Sequence, residues 1–197
     1  MIGLDLDNTI ACYDGAIARL AAERLSLPAD VAKTKLAVRD HLRKTGREDE
    51  WTEFQGYIYG PGMDAAMPFP GAIGAITDFI AAGHDVAIIS HRTRHPYRGP
   101  KFDLHEAARA WIAKHLIGAD GSPLLAGRVS LFDHRSAKIS HIHEVGCHYF
   151  VDDLIEVLID AAFPNKTGRI WFSPDQGTVP DGIIRAESWA DVRRLCL

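Results

Sequence analysis

The sequence predicts an α/β fold, a doubly wound (Rossmann-like) parallel sheet carrying a small all-helical cap insertion. Three observations predict it. Short β-branched runs alternate with helical stripes through most of the chain, the pattern of a parallel sheet with helices on both faces. The segment 11–70 breaks that alternation with successive helical stripes and no strand between them. Several of the runs end in polar or acidic residues, where a ligand-binding edge would lie. The 197 residues suffice for one core plus an insertion and are too few for two full-sized domains.

The first run, 2–7, sits in MIGLDLDNTI: Ile2, Leu4 and Leu6 are its apolar part, and Asp5 and Asp7 interrupt it. Three stripes follow, Ile17, Leu20 and Ala21, then Val31, Val38 and Leu42, then Trp51, Phe54 and Ile58. Pro61, Gly62, Pro68, Pro70 and Gly71 mark the exit from this helical segment. The expected division is therefore a core of 1–10 and 71–197 and a helical insertion of 11–70. Within the core, Ile73, Ile76, Phe79 and Ile80 form a helix that Gly83 stops, before a strand over 85–90 ending in Ser90. Leu104, Ala108, Trp111 and Ile112 form the next stripe, and 128–132, 148–152 and 169–172 read as strands. Asp103 with Glu106, and Ser188 with Asp191, resemble capping boxes at helix starts.

A formal charge of −4 argues against a protein that coats a nucleic-acid backbone. Cys12, Cys147 and Cys196 are odd in number and scattered, which fits free thiols in a reducing compartment. No CxxC pair suggests zinc. No apolar run reaches the length of a membrane span and no leader pattern opens the chain, so the expectation is a soluble, cytoplasmic protein.

The chemistry sits at the strand ends. Asp5 and Asp7 close the first strand, Ser90 the second, and Asp152 and Asp153 the fourth, with Lys138 on the helical pattern just ahead of it. Gathered in one place, these acids repel unless a cation neutralises them. Oxygen-only ligands select a hard metal, Mg²⁺, which bridges to substrate phosphate. In that setting Asp5 attacks phosphorus, while Asp7 protonates the leaving oxygen and then activates water. Ser90 bonds a phosphate oxygen, and Lys138 neutralises charge in the transition state. An extended pleat would place Asp5 and Asp7 on the same side.

The ordered set of DLDNT at 5–9, the strand ending in Ser90, Lys138, and VDD at 151–153 resembles the haloacid dehalogenase (HAD) superfamily, in its phosphatase-type members with a helical cap inserted after the first motif. The resemblance implies that Asp5 is the nucleophile and Asp7 the acid/base and a metal ligand through its backbone carbonyl. It makes Ser90 and Lys138 the phosphate contacts and Asp153 the direct metal ligand, with Asp152 acting through water or as a second ligand. Asn8, Thr9, His91 and Arg92 are the expected substrate-binding residues beside these motifs. Members that cleave carbon–halogen bonds lack the second acid of the first motif, so Asp7 favours phosphoryl transfer. The expected activity is a Mg²⁺-dependent phosphomonoesterase of a small metabolite, such as a sugar phosphate. A nucleoside monophosphatase and, from another class, a non-catalytic binding module are the alternatives. The expected partners are a small phosphorylated substrate and a second copy of the chain in a homodimer, with no nucleic acid and no membrane.

Plainer readings stand beside these. A calcium loop starting at Asp5 fails, because Ile10 stands where glycine is needed and Ala16 where glutamate is needed. A receiver domain carries its acid pair and its phosphorylated aspartate in the reverse order. Lys101 competes with Lys138 and loses on position. The loop 91–101, rich in His91, Arg92, Arg94, His95, Arg98 and Lys101, reads equally as a solvated loop and as a site for an anionic group. His141 and His143, two apart on a helix, point to different faces and read as surface residues. Trp51, Phe54, Tyr57 and Tyr59 read as core of the insertion before they read as a stacking platform.

Overall fold

Strand β1 (Ile2–Leu4) is buried along its length and lies between two parallel neighbours, β4 (Val86–His91) and β6 (Tyr149–Asp152). The computed structural model describes residues 1–173 and 178–197. Among them β5 (Val129–Phe132), β7 (Gly168–Phe172) and β8 (Ile183–Ala186) complete a six-stranded sheet in the order β5-β4-β1-β6-β7-β8, parallel throughout. Counting only these six strands along the chain, the order is 3-2-1-4-5-6. The direction of winding reverses beside β1, and the crevice at the carboxyl ends of β1 and β6 is where such a sheet binds its ligand. Two short strands, β2 (Ala11–Cys12) and β3 (Met67–Pro68), form a separate ribbon.

The chain divides into two compact units. The first, Met1–Ala11, Pro68–Arg92 and Leu116–Leu197, holds the sheet. On it α4 (Ala72–Ala81) buries Ala75, Ile76 and Phe79 and packs with α8 (Trp189–Cys196). Ile139 and Ile142 of α6 (Arg135–Glu144) join Ile89, Cys147 and Phe150 in one apolar cluster, with Val157 and Leu158 of α7 (Ile155–Leu158). Gly3 stands in the most buried strand for a steric reason: a Cβ there would lie 2.6 Å from the Phe150 ring and 2.8 Å from Cys147 Sγ. Gly83, at φ 84°, ends α4 as expected.

The second unit, Cys12–Met67 and Thr93–His115, is all helical apart from the residues it shares with the ribbon. It holds α1 (Asp14–Arg24), α2 (Lys35–Lys44), α3 (Glu48–Tyr59), a 3₁₀ turn at Pro61–Ala65 and α5 (Leu104–His115). Here the division differs from the one expected, which left 93–115 with the sheet. The apolar stripe of α5 packs on α3 and on the 3₁₀ turn, and Trp111 Nε1 donates to the Ala66 carbonyl at 2.9 Å. Trp51 and Phe54 are buried core of this unit. Strand β8 lies outside the expected set; it is an edge strand whose exposed Ile184 spoils the alternation. No described helix is long and apolar enough to cross a membrane.

Candidate active site

The first acid follows directly from β1. Asp5 N donates to the Val151 carbonyl at 2.9 Å, one step beyond the strand, and the residue is almost fully buried. The chain then turns: the Leu6 carbonyl accepts from both Ile10 N and Ala11 N, and Asn8 takes a φ of 56°, which asparagine tolerates better than most residues. The extended strand expected over 2–7 thus stops at Leu4. Asp7 is reached through a turn, with a single bridge to Ala11, and not along a pleat shared with Asp5.

Ser90, on β4, and Lys138, on α6, converge on one oxygen of Asp5. Ser90 Oγ donates to Asp5 Oδ1 at 2.9 Å and Lys138 Nζ to the same oxygen at 2.6 Å. Lys138 also donates to Asp152 Oδ2 at 2.6 Å, and Asp152 Oδ1 accepts from Leu154 N at 2.9 Å. Carboxylate oxygens of Asp5, Asp152 and Asp153 lie within 4.8 Å of one another. The sheet therefore gathers Asp5, Ser90, Lys138, Asp152 and Asp153, while Lys101 is exposed in the helical unit. Burial pushes the Asp5 carboxyl up to about 7; Lys138 opposes the rise, and Asp152 and Asp7 add to it. Burial alone would lower the Lys138 pKa, but Asp152 and Asp5 reverse the sign and hold it above its ordinary value. The ammonium stays charged.

Asp7 stands apart from the three-acid cluster and takes a different partner. Arg92 Nε donates to Asp7 Oδ2 at 3.0 Å and a second guanidinium nitrogen bonds Asp7 Oδ1. The three clustered carboxylates, of Asp5, Asp152 and Asp153, share one buried cation, Lys138, a formal excess of two negative charges. An all-oxygen cluster with that excess suits a hard divalent cation.

Thr9 and two tryptophans fix the acidic loop. Thr9 Oγ1, fully buried, accepts from Asp153 N at 3.1 Å; Trp171 Nε1 donates to the Asp153 carbonyl at 3.0 Å, and Trp189 Nε1 to the Thr9 carbonyl at 2.9 Å. Thr9 is thus built into the support of the loop. His91 Nε2 lies 3.2 Å from the Asp133 carbonyl, and burial with the nearby Lys138 lowers its pKa. Arg94 pairs with Asp103, and Arg98 with Asp49 and Glu53. His143 is exposed, and His141 lies by Ser130 and Glu144, outside the acidic cluster. The sequence named Arg92 as a substrate-binding residue and did not disclose its pairing with Asp7, nor the indole donors Trp171 and Trp189.

No family model matches the chain, and no curated protein matches it. Solved structures do. The HAD-type protein YfnB of Bacillus subtilis, in a magnesium-bound form, has a TM-score of 0.63 at 14% identity, over 99% of this chain and 97% of that one. A predicted phosphoglycolate phosphatase of Haemophilus somnus has a TM-score of 0.58 at 16% identity, over 100% and 97%. A HAD family hydrolase of Deinococcus radiodurans with bound phosphate and sodium has a TM-score of 0.56 at 15% identity, over 98% and 93%. The fold is that of the HAD-superfamily hydrolases.

Proposed function

We propose that the chain is a Mg²⁺-dependent phosphomonoester hydrolase acting on a small phosphorylated metabolite through an aspartyl-phosphate. The observation that carries this reading is the seating of Asp5, with Ser90 and Lys138 both on Oδ1 and the acids of the 152–153 loop beside it. Structures of the same fold with magnesium or phosphate bound support the same class of chemistry.

In this reading Asp5 Oδ2 attacks phosphorus and the bond from phosphorus to the ester oxygen breaks. Asp7, which carries a proton when the ester is bound and regains one from water in the second step, gives that oxygen its proton, so the alcohol leaves neutral. Asp7 then takes a proton from water; the water oxygen bonds phosphorus, the acyl-phosphate bond to Asp5 breaks, and inorganic phosphate departs. Ser90 Oγ, released from Asp5 by an incoming phosphoryl group, turns its hydrogen bond to a phosphoryl oxygen, and Lys138 balances the added charge. Asp5 and Asp153 would hold the ion, braced by Asp152, which is itself held by Lys138 and Leu154 N; when bound, the ion supplies the positive charge that lets a carboxylate approach a phosphate dianion.

The test is phosphate release from a panel of sugar phosphates, small organic-acid phosphates and nucleoside monophosphates, with and without Mg²⁺. The expected result is Mg²⁺-dependent release from at least one ester, abolished by Asp5→Asn. Turnover that survives Asp5→Asn overturns the nucleophile, and transfer to an added alcohol without release would mark a phosphotransferase.

A further inference from the structure

We infer that Arg92 is a positioning residue for Asp7, a guanidinium clamp that holds the proton-transferring carboxylate in one plane, and that it is not a substrate-binding group. The inference rests on the phosphoryl-transfer reading above and adds a residue to it.

Three observations carry it. First, the contact is two-pronged, with Nε on one oxygen of Asp7 and a terminal nitrogen on the other, the geometry in which a guanidinium fixes both position and plane of a carboxylate. Second, Arg92 is unlike its neighbours in the basic loop. Its side chain is 3% exposed, whereas Arg94 and Arg98, at 62% and 51%, pair with acids at the surface. Burial alone does not distinguish it from Ser90 and Lys138; what does is that two of its guanidinium nitrogens are spent on the two oxygens of Asp7. Third, its base is fixed: Arg92 N donates to the Phe132 carbonyl at 2.8 Å, continuing the ladder between β4 and β5.

The clamp answers a problem set by the local chain. Asp7 hangs from a turn after β1, and the Asp5 carboxylate repels it. Yet it must face the leaving oxygen in one step and water in the next, and small misplacement of a proton-transfer group is costly. A lysine at 92 would supply charge without fixing the plane.

The experiment separates positioning from binding and from folding. Arg92→Lys, Arg92→Gln, Asp7→Asn and the double variant Asp7→Asn/Arg92→Gln are compared on an alkyl phosphate that the wild type hydrolyses and on p-nitrophenyl phosphate. p-Nitrophenolate leaves without a proton, so only the second step then needs Asp7. Expected for Arg92→Gln are a kcat on the alkyl ester lower by about 10–10²-fold with KM nearly unchanged, and a burst of p-nitrophenolate of about one per enzyme before slow turnover. The double variant should be no slower than Asp7→Asn, because residues that act as one unit do not add. Arg92→Lys keeps the buried charge; it should melt close to the wild type and still turn over slowly. Losses that multiply in the double variant, a raised KM at unchanged kcat, or full activity in folded Arg92→Lys would overturn the clamp alone. A wild type that hydrolyses no phosphate ester would overturn the parent reading, and the clamp with it.

Discussion

Lys138 Nζ lies 2.6 Å from Asp5 Oδ1, with 1% and 6% of the two side chains exposed, and the same ammonium lies 2.6 Å from Asp152 Oδ2. One cation thus holds two acids 147 residues apart in the chain against the same point of the sheet. Burying three charges is unfavourable in itself and tolerable only while they neutralise one another. Replacing Lys138 by Met should therefore cost about 3–5 kcal/mol at pH 7 in the absence of divalent cations, the range for breaking a buried ion pair. Part of that loss should return on adding Mg²⁺, more than the same addition gives the wild type, because the ion takes over the neutralisation. Urea unfolding with and without Mg²⁺ checks both, and a variant as stable as the wild type would show that the triad is not electrostatically coupled.

The acidic loop is held by its backbone as well as by Lys138. Trp171 Nε1 and Thr9 Oγ1 bond the carbonyl and N–H of Asp153, and groups that orient a ligand contribute to affinity nearly as the ligand does. Trp171→Phe should weaken Mg²⁺ binding about 10-fold or more, and Asp153→Asn should abolish it within the measured range. Titration calorimetry on the folded proteins decides. Unchanged affinity in Trp171→Phe would mean that the loop keeps its place without the indole.

Asp5, Ser90 and Asp152 were legible in the sequence because each closes an apolar run, and a doubly wound sheet puts such ends on one edge. Lys138 was legible from its place ahead of the acidic strand. The clamp and the tryptophan supports were not, because Asp7 with Arg92, Thr9 with Asp153, and Trp189 with Thr9 join positions 85, 144 and 180 residues apart. Hydrogen bonds of that kind leave no period in a sequence. The stripe on α5 announced a helix without saying what it packs on, so 93–115 was expected with the sheet and lies in the helical unit. The turn after Leu4 was hidden for a different reason: Leu6 continues the alternation of β1 although its carbonyl is already closing the turn.

The start of α5 offers a pH-dependent test. Asp103 Oδ1 accepts from His105 N and Glu106 N, and these bonds, the Glu106 N–H foremost, with Arg94 nearby, lower its pKa. A carboxyl depressed by folding contributes stability above its unfolded value of 3.8, and the contribution fades as pH falls through the lower folded value. Asp103→Ala should cost about 1 kcal/mol at pH 7 as a lost N-cap. Asp103→Asn keeps the acceptor, so its smaller deficit is a charge effect and should shrink between pH 5 and pH 3, on the order of the unfolded titration. Urea midpoints at several pH values measure it; a deficit that grows on acidification would reverse the assigned sign.

Gly3 links the packing of the sheet to the site. A methyl group there would meet Phe150 Cδ2 at 2.6 Å and Cys147 Sγ at 2.8 Å, closer than real contacts allow. Strand β1 is pinned on both sides by its ladders, so the ring must move. Gly3→Ala should therefore destabilise by about 1–3 kcal/mol, as overpacking does. The same ring lies 5.3 Å from Lys138 Nζ, so its displacement reaches the ammonium that seats Asp5, and turnover should fall with the fold still intact. Phe150→Leu removes the atoms in the way. In that background Gly3→Ala should cost less than it does alone, a coupling that a double-mutant cycle by urea unfolding reads directly. Additive losses would mean that the methyl group is accommodated elsewhere and that glycine at this position serves another purpose.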